Sequence, residues 1–262
     1  IYYKSLFMKL GFIGTGKISS SVIKGICNSS IKYEKIFISS RNKKISKHLK
    51  KKFKKIFIEN DNQKIVSKCN WIFLAVTPTV GNKIIRDLDF RSNQTIISFI
   101  STINISNLKR MIKVKADIVR AIPLPPISLG KGPIPICPPN KKVKSFFDKI
   151  GLTIQIKSEK QSINFWSMSA MMAPYYNMLK TMSEWLIKKG IKRDDTQKYI
   201  TSLFSALSED AVVNSKENLN HLVKDSQTKK GLNEQGLREM KKKGVYRSIE
   251  KTLDIIYRRL DK

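Results

Sequence analysis

Acidic residues are scarce in this sequence. Its 20 Asp and Glu stand against 51 Lys and Arg, which gives a formal net charge of +31 at pH 7. Such an excess can indicate a nucleic-acid or anionic-membrane partner. Most of the basic residues are lysines, however, and they are spread from Lys4 to Lys262. A nucleic-acid surface would cluster arginine and aromatic side chains, so the charge favours compositional drift over a nucleic-acid role.

Cysteines and long apolar runs are also scarce. Cys27, Cys69 and Cys137 are far apart and lack Cys-x-x-Cys spacing, which argues against a zinc site or a disulfide framework. No apolar run approaches the roughly 18 residues of a membrane helix. Residues 1–7 are too short for a signal peptide, and we expect them to be an extension ahead of Met8. The expectation is a cytoplasmic protein without a membrane segment or a metal site.

The first part of the chain alternates short apolar runs with longer helical stretches. The runs predict strands at residues 10–13, 35–39, 56–58, 71–76, 95–100, 117–121 and 153–156. Continuous apolar runs are typical of strands that are buried on both faces of a parallel sheet. Strands separated by helices predict right-handed βαβ units, and hence an α/β fold with a Rossmann-type doubly wound sheet. Residues 134–136, in a proline-rich segment, predict an edge strand.

The pattern changes after residue 158. From residue 161 onward it is helical, with a weakly structured interruption at residues 224–230. We therefore predict a dinucleotide-binding domain over residues 8–157 and an all-helical domain over residues 158–262. Large apolar side chains in the helical part, such as Trp185, Leu203 and Leu207, predict burial between subunits.

A glycine motif lies at the first predicted strand-to-helix junction. Gly14 permits a tight turn, Gly16 permits close approach of a pyrophosphate, and Ser19 permits close helix–strand packing. The following helix offers free N–H groups and the positive end of its dipole to phosphate. We interpret the motif as the phosphate-binding loop of a dinucleotide site.

The second strand ends in Ser39-Ser40-Arg41 and has no acidic residue to bind a ribose 2′-hydroxyl. Hydroxyls and a guanidinium suit a 2′-phosphate instead. The strand end therefore favours NADP as the cofactor, with NAD as the alternative. On the other interpretation, Arg41 is simply one of many exposed basic residues.

With these motifs the sequence resembles the pyrroline-5-carboxylate reductases between about residues 8 and 240. The similarity rests on residues 11–19, 62–78, 119–123, 173–176 and 231–237. It implies NAD(P)H-dependent reduction of the cyclic imine 1-pyrroline-5-carboxylate, or of a closely similar imine carboxylate, in proline biosynthesis. It also implies a homodimer or a larger homo-oligomer built from the helical domain.

The resemblance and the strand-end argument together assign roles to individual residues. The expected cofactor-binding residues are Gly14, Thr15, Gly16, Lys17, Ile18, Ser40, Arg41, Asn62, Val76, Thr77 and Pro78. At the start of a late helix, Thr228, Gly231 and Leu232 are expected to bind the substrate carboxylate. Asn233 stands where the family usually has a Thr that is often assigned to protonate the imine. It is the expected catalytic residue, able to orient the ring nitrogen, and an iminium already protonated in solution needs no acid.

Two other interpretations remain open. The β-hydroxyacid dehydrogenases share the predicted architecture, but they generally carry a catalytic Lys followed four residues later by Asn, whereas Lys180 is followed at that spacing by Glu184. A non-catalytic descendant that binds a dinucleotide or nucleic acid is the other interpretation. It draws on departures from the family pattern, such as Thr77 in place of the usual Lys and the altered loop before Asn233.

Overall fold

The computed structural model of the protein describes residues 8–261. It divides into two compact units, the first up to Trp166 and the second from Ser167. The division falls within helix α7 (Glu159–Ser169), and the predicted domain boundary at residue 157 lies just before this helix. The predicted extension at residues 1–7 lies outside the described residues.

The described part of the first unit contains one eight-stranded sheet. Its strands are β1 (Met8–Ile13), β2 (Tyr33–Ser39), β3 (Ile56–Glu59), β4 (Trp71–Leu74), β5 (Thr95–Ser98), β6 (Asp117–Ala121), β7 (Pro133–Cys137) and β8 (Leu152–Gln155). Their order across the sheet is β3-β2-β1-β4-β5-β6-β7-β8. The pair β6–β7 is antiparallel, and the other neighbours are parallel. The chain reverses its direction of growth between β1 and β4, which is the switch point of a doubly wound sheet. The predicted α/β fold is confirmed.

Helices connect most of these strands. They are α1 (Lys17–Cys27), α2 (Lys43–Lys52), α3 (Asn62–Lys68), α4 (Pro78–Ile84), α5 (Ile105–Ile112) and α6 (Lys141–Phe147). Polar side chains begin several of them: those of Asn42, Asp61, Asn104 and Asn140 each accept a backbone N–H from the first turn. Such caps satisfy donors that a helix leaves free at its start, which explains why the helices begin where they do.

The sheet has a hydrophobic core on each face. Phe12 of β1 and Phe73 of β4 belong to one core, and their rings stack with centroids 4.3 Å apart. Their neighbours Ile13 and Leu74 belong to the core on the opposite face. Alternate residues of a strand point to opposite faces, so a strand covered on both sides needs apolar residues at consecutive positions, as at Phe12-Ile13 and Phe73-Leu74.

The prediction that residues 134–136 form an edge strand is wrong. β7 lies between β6 and β8, although it contains Pro133 and Pro135. The carbonyl of Pro135 accepts the Ile122 N–H, next to β6, whereas the carbonyl of Ile136 accepts the Ile156 N–H on the β8 side. The N–H that Pro135 lacks would therefore point toward β6, where the registered pairing covers two residues of β6 only. The proline costs little on that side.

The second unit is helical. After α7 it contains α8 (Met172–Lys188), α9 (Arg193–Val213), α10 (Asn220–Asp225), α11 (Leu232–Lys242) and α12 (Val245–Leu260). Among its described residues, Ile200 is the only large apolar residue that is buried, while many others are exposed, such as Trp185, Tyr199 and Leu207. A single copy of this unit therefore leaves many large apolar side chains exposed. Within residues 8–261 no helix has the length and hydropathy of a membrane span.

Candidate functional site

A cavity of about 570 Å³ opens at the carboxyl ends of β1, β2 and β4. Three loops supply its lining residues, which are Gly14, Thr15, Gly16, Arg41, Asn42, Lys43, Ala75, Val76 and Thr77. The cavity therefore lies at the switch point between β1 and β4. Open α/β sheets bind their ligands at such points.

The loop after β1 is held in shape by contacts with its neighbours. Gly14 has φ of +97°, and a Cβ there would lie 2.5 Å from the carbonyl oxygen of Ala75, so a side chain cannot be accommodated. The Gly14 N–H donates to Oγ of Ser39 at 3.0 Å, and Oγ1 of Thr15 donates to the Ser39 carbonyl at 2.6 Å. On the other side, Oγ of Ser19 donates to the Gly14 carbonyl at 2.6 Å. The protein itself thus preorganises the loop.

Unlike Gly14, Gly16 has open space beside its Cα. It caps the N-terminus of α1, and a Cβ there would meet no protein atom within 4 Å. The first N–H groups of α1 have no partner within the helix, and the helix dipole favours an anion near them. Gly16 therefore leaves room for a phosphate to approach the backbone, which is the role predicted for it.

The wall after β2 is positively charged. Arg41 is exposed and forms no ion pair with any described residue, and Lys43 lies beside it on the cavity. No Asp or Glu is among the residues that line the cavity. The electrostatics of the cavity suit phosphate groups, and the guanidinium at the end of β2 suits a 2′-phosphate.

Some of the predicted cofactor residues are not on the wall of the cavity. These are Lys17, Ile18, Ser40, Asn62 and Pro78. Lys17 is exposed at the start of α1, whereas Ile18 packs against the core. Ser40 extends the β2–β3 ladder by donating its N–H to the Glu59 carbonyl at 3.1 Å.

The sequence did not point to three of the lining residues, Asn42, Lys43 and Ala75, or to the support that Ser39 gives the glycine loop. Asn42 had a recognisable signal as a helix cap, since its Oδ1 accepts the Ile45 N–H at 3.2 Å. The contact between Ser39 and Gly14 had no local signal, because the two residues are brought together by the pairing of β1 with β2.

The predicted substrate loop lies between α10 and α11 in the second unit. Gly231 caps α11, but its N–H donates to the Thr228 carbonyl at 2.8 Å, so this N–H is not free for a carboxylate. The N–H groups of Leu232 and Asn233 begin the helix and have no partner within it. Asn233 donates its side-chain amide to the Ser226 carbonyl at 2.8 Å, which leaves its Oδ1 available as an acceptor.

None of the three thiols lines the cavity. Burial raises the pKa of Cys27 and Cys137, and it raises the pKa of Cys69 to about 12. A thiol with a raised pKa is a weak nucleophile near neutral pH. Within residues 8–261 no group of three His, Cys, Asp or Glu side chains could hold a metal ion.

Family models match both parts of the chain. Residues 9–102 match the family described as NADP oxidoreductase coenzyme F420-dependent. Residues 165–262 match the pyrroline-5-carboxylate reductase dimerisation family. The second match assigns the C-terminal part of the chain to the pyrroline-5-carboxylate reductase dimerisation family. No curated protein sequence matches it.

Solved pyrroline-5-carboxylate reductase structures share the fold over almost the whole chain. The pyrroline carboxylate reductase of Plasmodium falciparum with NADP bound is 21% identical, with 97% of each chain covered and a TM-score of 0.83. The 1-pyrroline-5-carboxylate reductase of Streptococcus pyogenes is 20% identical, with coverage of 97% of this chain and 98% of that chain and a TM-score of 0.81. The enzyme of Coxiella burnetii is 18% identical, with 97% of each chain covered and a TM-score of 0.80.

Proposed function

We propose that the chain reduces 1-pyrroline-5-carboxylate to L-proline, with NADPH as the hydride donor. The observation that carries the proposal is the preorganised glycine-loop cavity in a chain whose C-terminal part matches a pyrroline-5-carboxylate reductase family. The NADP in the P. falciparum structure supports the choice of cofactor.

The cavity fits a phosphorylated dinucleotide, because Gly16 leaves open space beside the free N–H groups of α1 and the only charged side chains on its walls are basic. When bound, NADPH supplies the hydride that the imine carbon receives. Gly14, Thr15, Gly16, Lys17 and Ile18 would hold the pyrophosphate. Ser40 and Arg41 would bind the 2′-phosphate, Asn62 would contact the adenosine, and residues 76–78 would lie along the cofactor.

The substrate carboxylate would be bound by the loop that contains Thr228, Gly231 and Leu232. The free N–H groups at the start of α11 favour an anion, and the neighbouring Lys229 and Lys230 add positive charge. The carboxylate of Glu234, which accepts the Lys230 N–H, offsets part of that charge. Asn233 would then orient the ring. The amide nitrogen of Asn233 is hydrogen-bonded to the Ser226 carbonyl, so its Oδ1 is the atom left to contact the ring. This oxygen can accept the N–H of an iminium that was protonated in solution.

The assembly and location of the enzyme complete the proposal. The dimerisation-family match and the exposed apolar side chains of the second unit support a homodimer or a larger homo-oligomer. Cys27, Cys69 and Cys137 are all free thiols. This supports a reducing, cytoplasmic location, where disulfides are rare.

The test is NADPH oxidation by the purified protein with pyrroline-5-carboxylate, and separately with pyrroline-2-carboxylate. We expect faster turnover with the first imine. Turnover with neither imine would refute the proposed function, and salt-sensitive DNA binding by the same inactive protein would favour the non-catalytic interpretation.

Substitutions of two glycines test whether this activity depends on the cavity. A Cβ on Gly16 would meet no protein atom within 4 Å, so we expect Gly16→Val to preserve the fold while it blocks phosphate binding. Gly236→Val is the matched control, because a Cβ on that glycine of α11 also meets open space. We expect NADPH binding to be lost in the first variant and kept in the second.

A further inference from the structure

Arg120 carries a buried positive charge at the carboxyl end of β6. Its side chain is 6% exposed, and its Nη1 lies 2.6 Å from Oε1 of Glu159, in the first turn of α7. Its guanidinium carbon also lies 5.9 Å from the centre of the Trp166 ring. A charge is costly to bury unless it is paired and hydrogen-bonded. The contacts of this pair therefore indicate what it does.

Both members of the pair hold the loop that follows β5, residues 99–104. Nη2 of Arg120 donates to the Ser101 carbonyl at 2.5 Å and to the Ile100 carbonyl at 3.4 Å. Oε1 of Glu159 also accepts the N–H of Ile105, the first residue of α5, at 2.9 Å. The ion pair thus fixes the loop near both of its ends.

The loop packs against the wall of the cofactor cavity. Side-chain atoms of Ile100, Ile103 and Val76 all lie within 3.3 Å of the position that a Cβ would take on Gly81, in α4. The Gly81 N–H donates to the carbonyl of Thr77 at 2.8 Å. Val76 and Thr77 line the cavity. A continuous series of contacts therefore connects Arg120 to this wall.

These contacts lie in the half of the sheet expected to hold the nicotinamide. In a doubly wound sheet β1–β3 form one mononucleotide-binding half, whose second strand ends at the adenosine ribose, and β4–β6 form the other. We propose that Arg120 and Glu159 are a positioning pair for hydride transfer. They hold residues 99–104, and through Ile100 the Val76–Thr77 wall, in the arrangement that the nicotinamide ring requires. This inference rests on the proposed NADPH-dependent function.

Three variants distinguish a positioning role of the Arg120–Glu159 pair from a role in protein stability alone. Arg120→Met removes the charge and every donor but leaves Glu159 without its partner. The double variant Arg120→Met, Glu159→Met also removes that carboxylate, and replacing a whole buried ion pair by apolar side chains is often neutral for stability. Glu159→Gln keeps the Oε1 that accepts from both Ile105 and Arg120. Arg110→Met, on the exposed surface of α5, is the matched control.

We expect kcat for the imine to fall about tenfold or more in Arg120→Met and in the double variant, because small misplacements of reacting groups are costly. The double variant should regain thermal stability without regaining kcat. Because the adenosine half is untouched, the Kd of NADPH should change by no more than about threefold in either. Glu159→Gln should keep most of the activity, and Arg110→Met all of it.

Hydrogen exchange gives a readout that does not depend on turnover. In both variants that lack Arg120, amides of residues 99–105 should exchange faster, while those of residues 11–40 should not change. Recovery of kcat together with stability in the double variant, or unchanged exchange in this loop, would overturn the inference. If the unmodified protein reduces no imine, the proposed function fails by itself, and the exchange experiment still tests whether the pair holds the loop.

Discussion

Arg41 is the residue on which the choice between the two nicotinamide cofactors depends. It lies at the end of β2, on the wall of the cavity, and no described acidic residue neutralises it. A free guanidinium favours a 2′-phosphate through charge-assisted hydrogen bonds, whereas a 2′-hydroxyl gains little from it.

We therefore expect NADPH to bind more tightly than NADH, by about tenfold or more. Arg41→Asp should erase or reverse the difference, since its carboxylate would repel the 2′-phosphate and could accept from a 2′-hydroxyl. Titration calorimetry measures both affinities. The control Lys47→Asp makes the same charge change on α2 away from the cavity and should leave the preference for NADPH intact. Equal affinities for NADPH and NADH in the unmodified protein would contradict the role assigned to Arg41.

Cys69 gives a prediction about stability and pH. Burial raises its pKa from 9.0 to about 12 in the folded chain, so the folded state holds the thiol proton more tightly than the unfolded state. The resulting stabilisation is complete below about pH 9 and is lost as the pH rises toward about 12. At about pH 10 the free energy of unfolding should have fallen by about 1 kcal/mol from this group.

Cys69→Ala isolates that contribution. Urea unfolding of both proteins at about pH 8 and about pH 10 cancels the other groups that titrate there, and the variant should lose about 1 kcal/mol less than the unmodified protein. An identical loss in the two proteins would show that Cys69 does not contribute.

The start of α11 carries the predicted substrate loop. A Cβ on Gly231 would lie 2.2 Å from Oγ1 of Thr228 and 2.9 Å from the Thr228 carbonyl oxygen, so Gly231→Val must move the loop. We expect a strong rise in the KM for the imine, about tenfold or more, with unchanged NADPH binding. The control Gly236→Val lies on the same helix in open space.

Asn233 can be tested in the same assay. Asn233→Ala removes both the amide bonded to Ser226 and the acceptor proposed for the iminium, so turnover should fall. Asn233→Thr restores the residue usual in the family and should preserve or improve reduction of pyrroline-5-carboxylate. Full activity in both Gly231→Val and Asn233→Ala would mean that this segment is only a helix start and that the substrate binds elsewhere.

The elements themselves were largely predictable from the sequence. Buried parallel strands such as β4 are apolar throughout, and helices such as α2 begin at recognisable caps. The position of β7 inside the sheet was not predictable. The local sequence does not show toward which neighbouring strand the missing N–H of Pro135 would point. Likewise, Asn42 and Lys43 reach the cavity only through the pairing of β1 with β2, which is a long-range contact.

The apolar surface of the second unit predicts self-association of the protein. Tyr199, Leu203 and Leu207 lie on one stripe of α9, and all three are exposed. We expect light scattering to give at least the mass of a dimer. Leu203→Glu combined with Leu207→Glu should lower the mass, because burying two carboxylates in an apolar contact is costly.

The control for this experiment is Ser205→Glu, which adds a carboxylate on the opposite side of α9 and should leave the mass unchanged. A monomeric mass for the unmodified protein at working concentration would contradict self-association through these helices.

Because the second unit has few fully buried residues, the thermal stability of the protein should also depend on its concentration. If most of its apolar surface is buried only between chains, dilution removes part of the free energy that keeps each chain folded. By mass action, each tenfold increase in protein concentration then adds about 1.4 kcal/mol to the stability of a dimer. At a low expression level the protein would therefore unfold at a lower temperature and be degraded faster than the same protein at a high expression level.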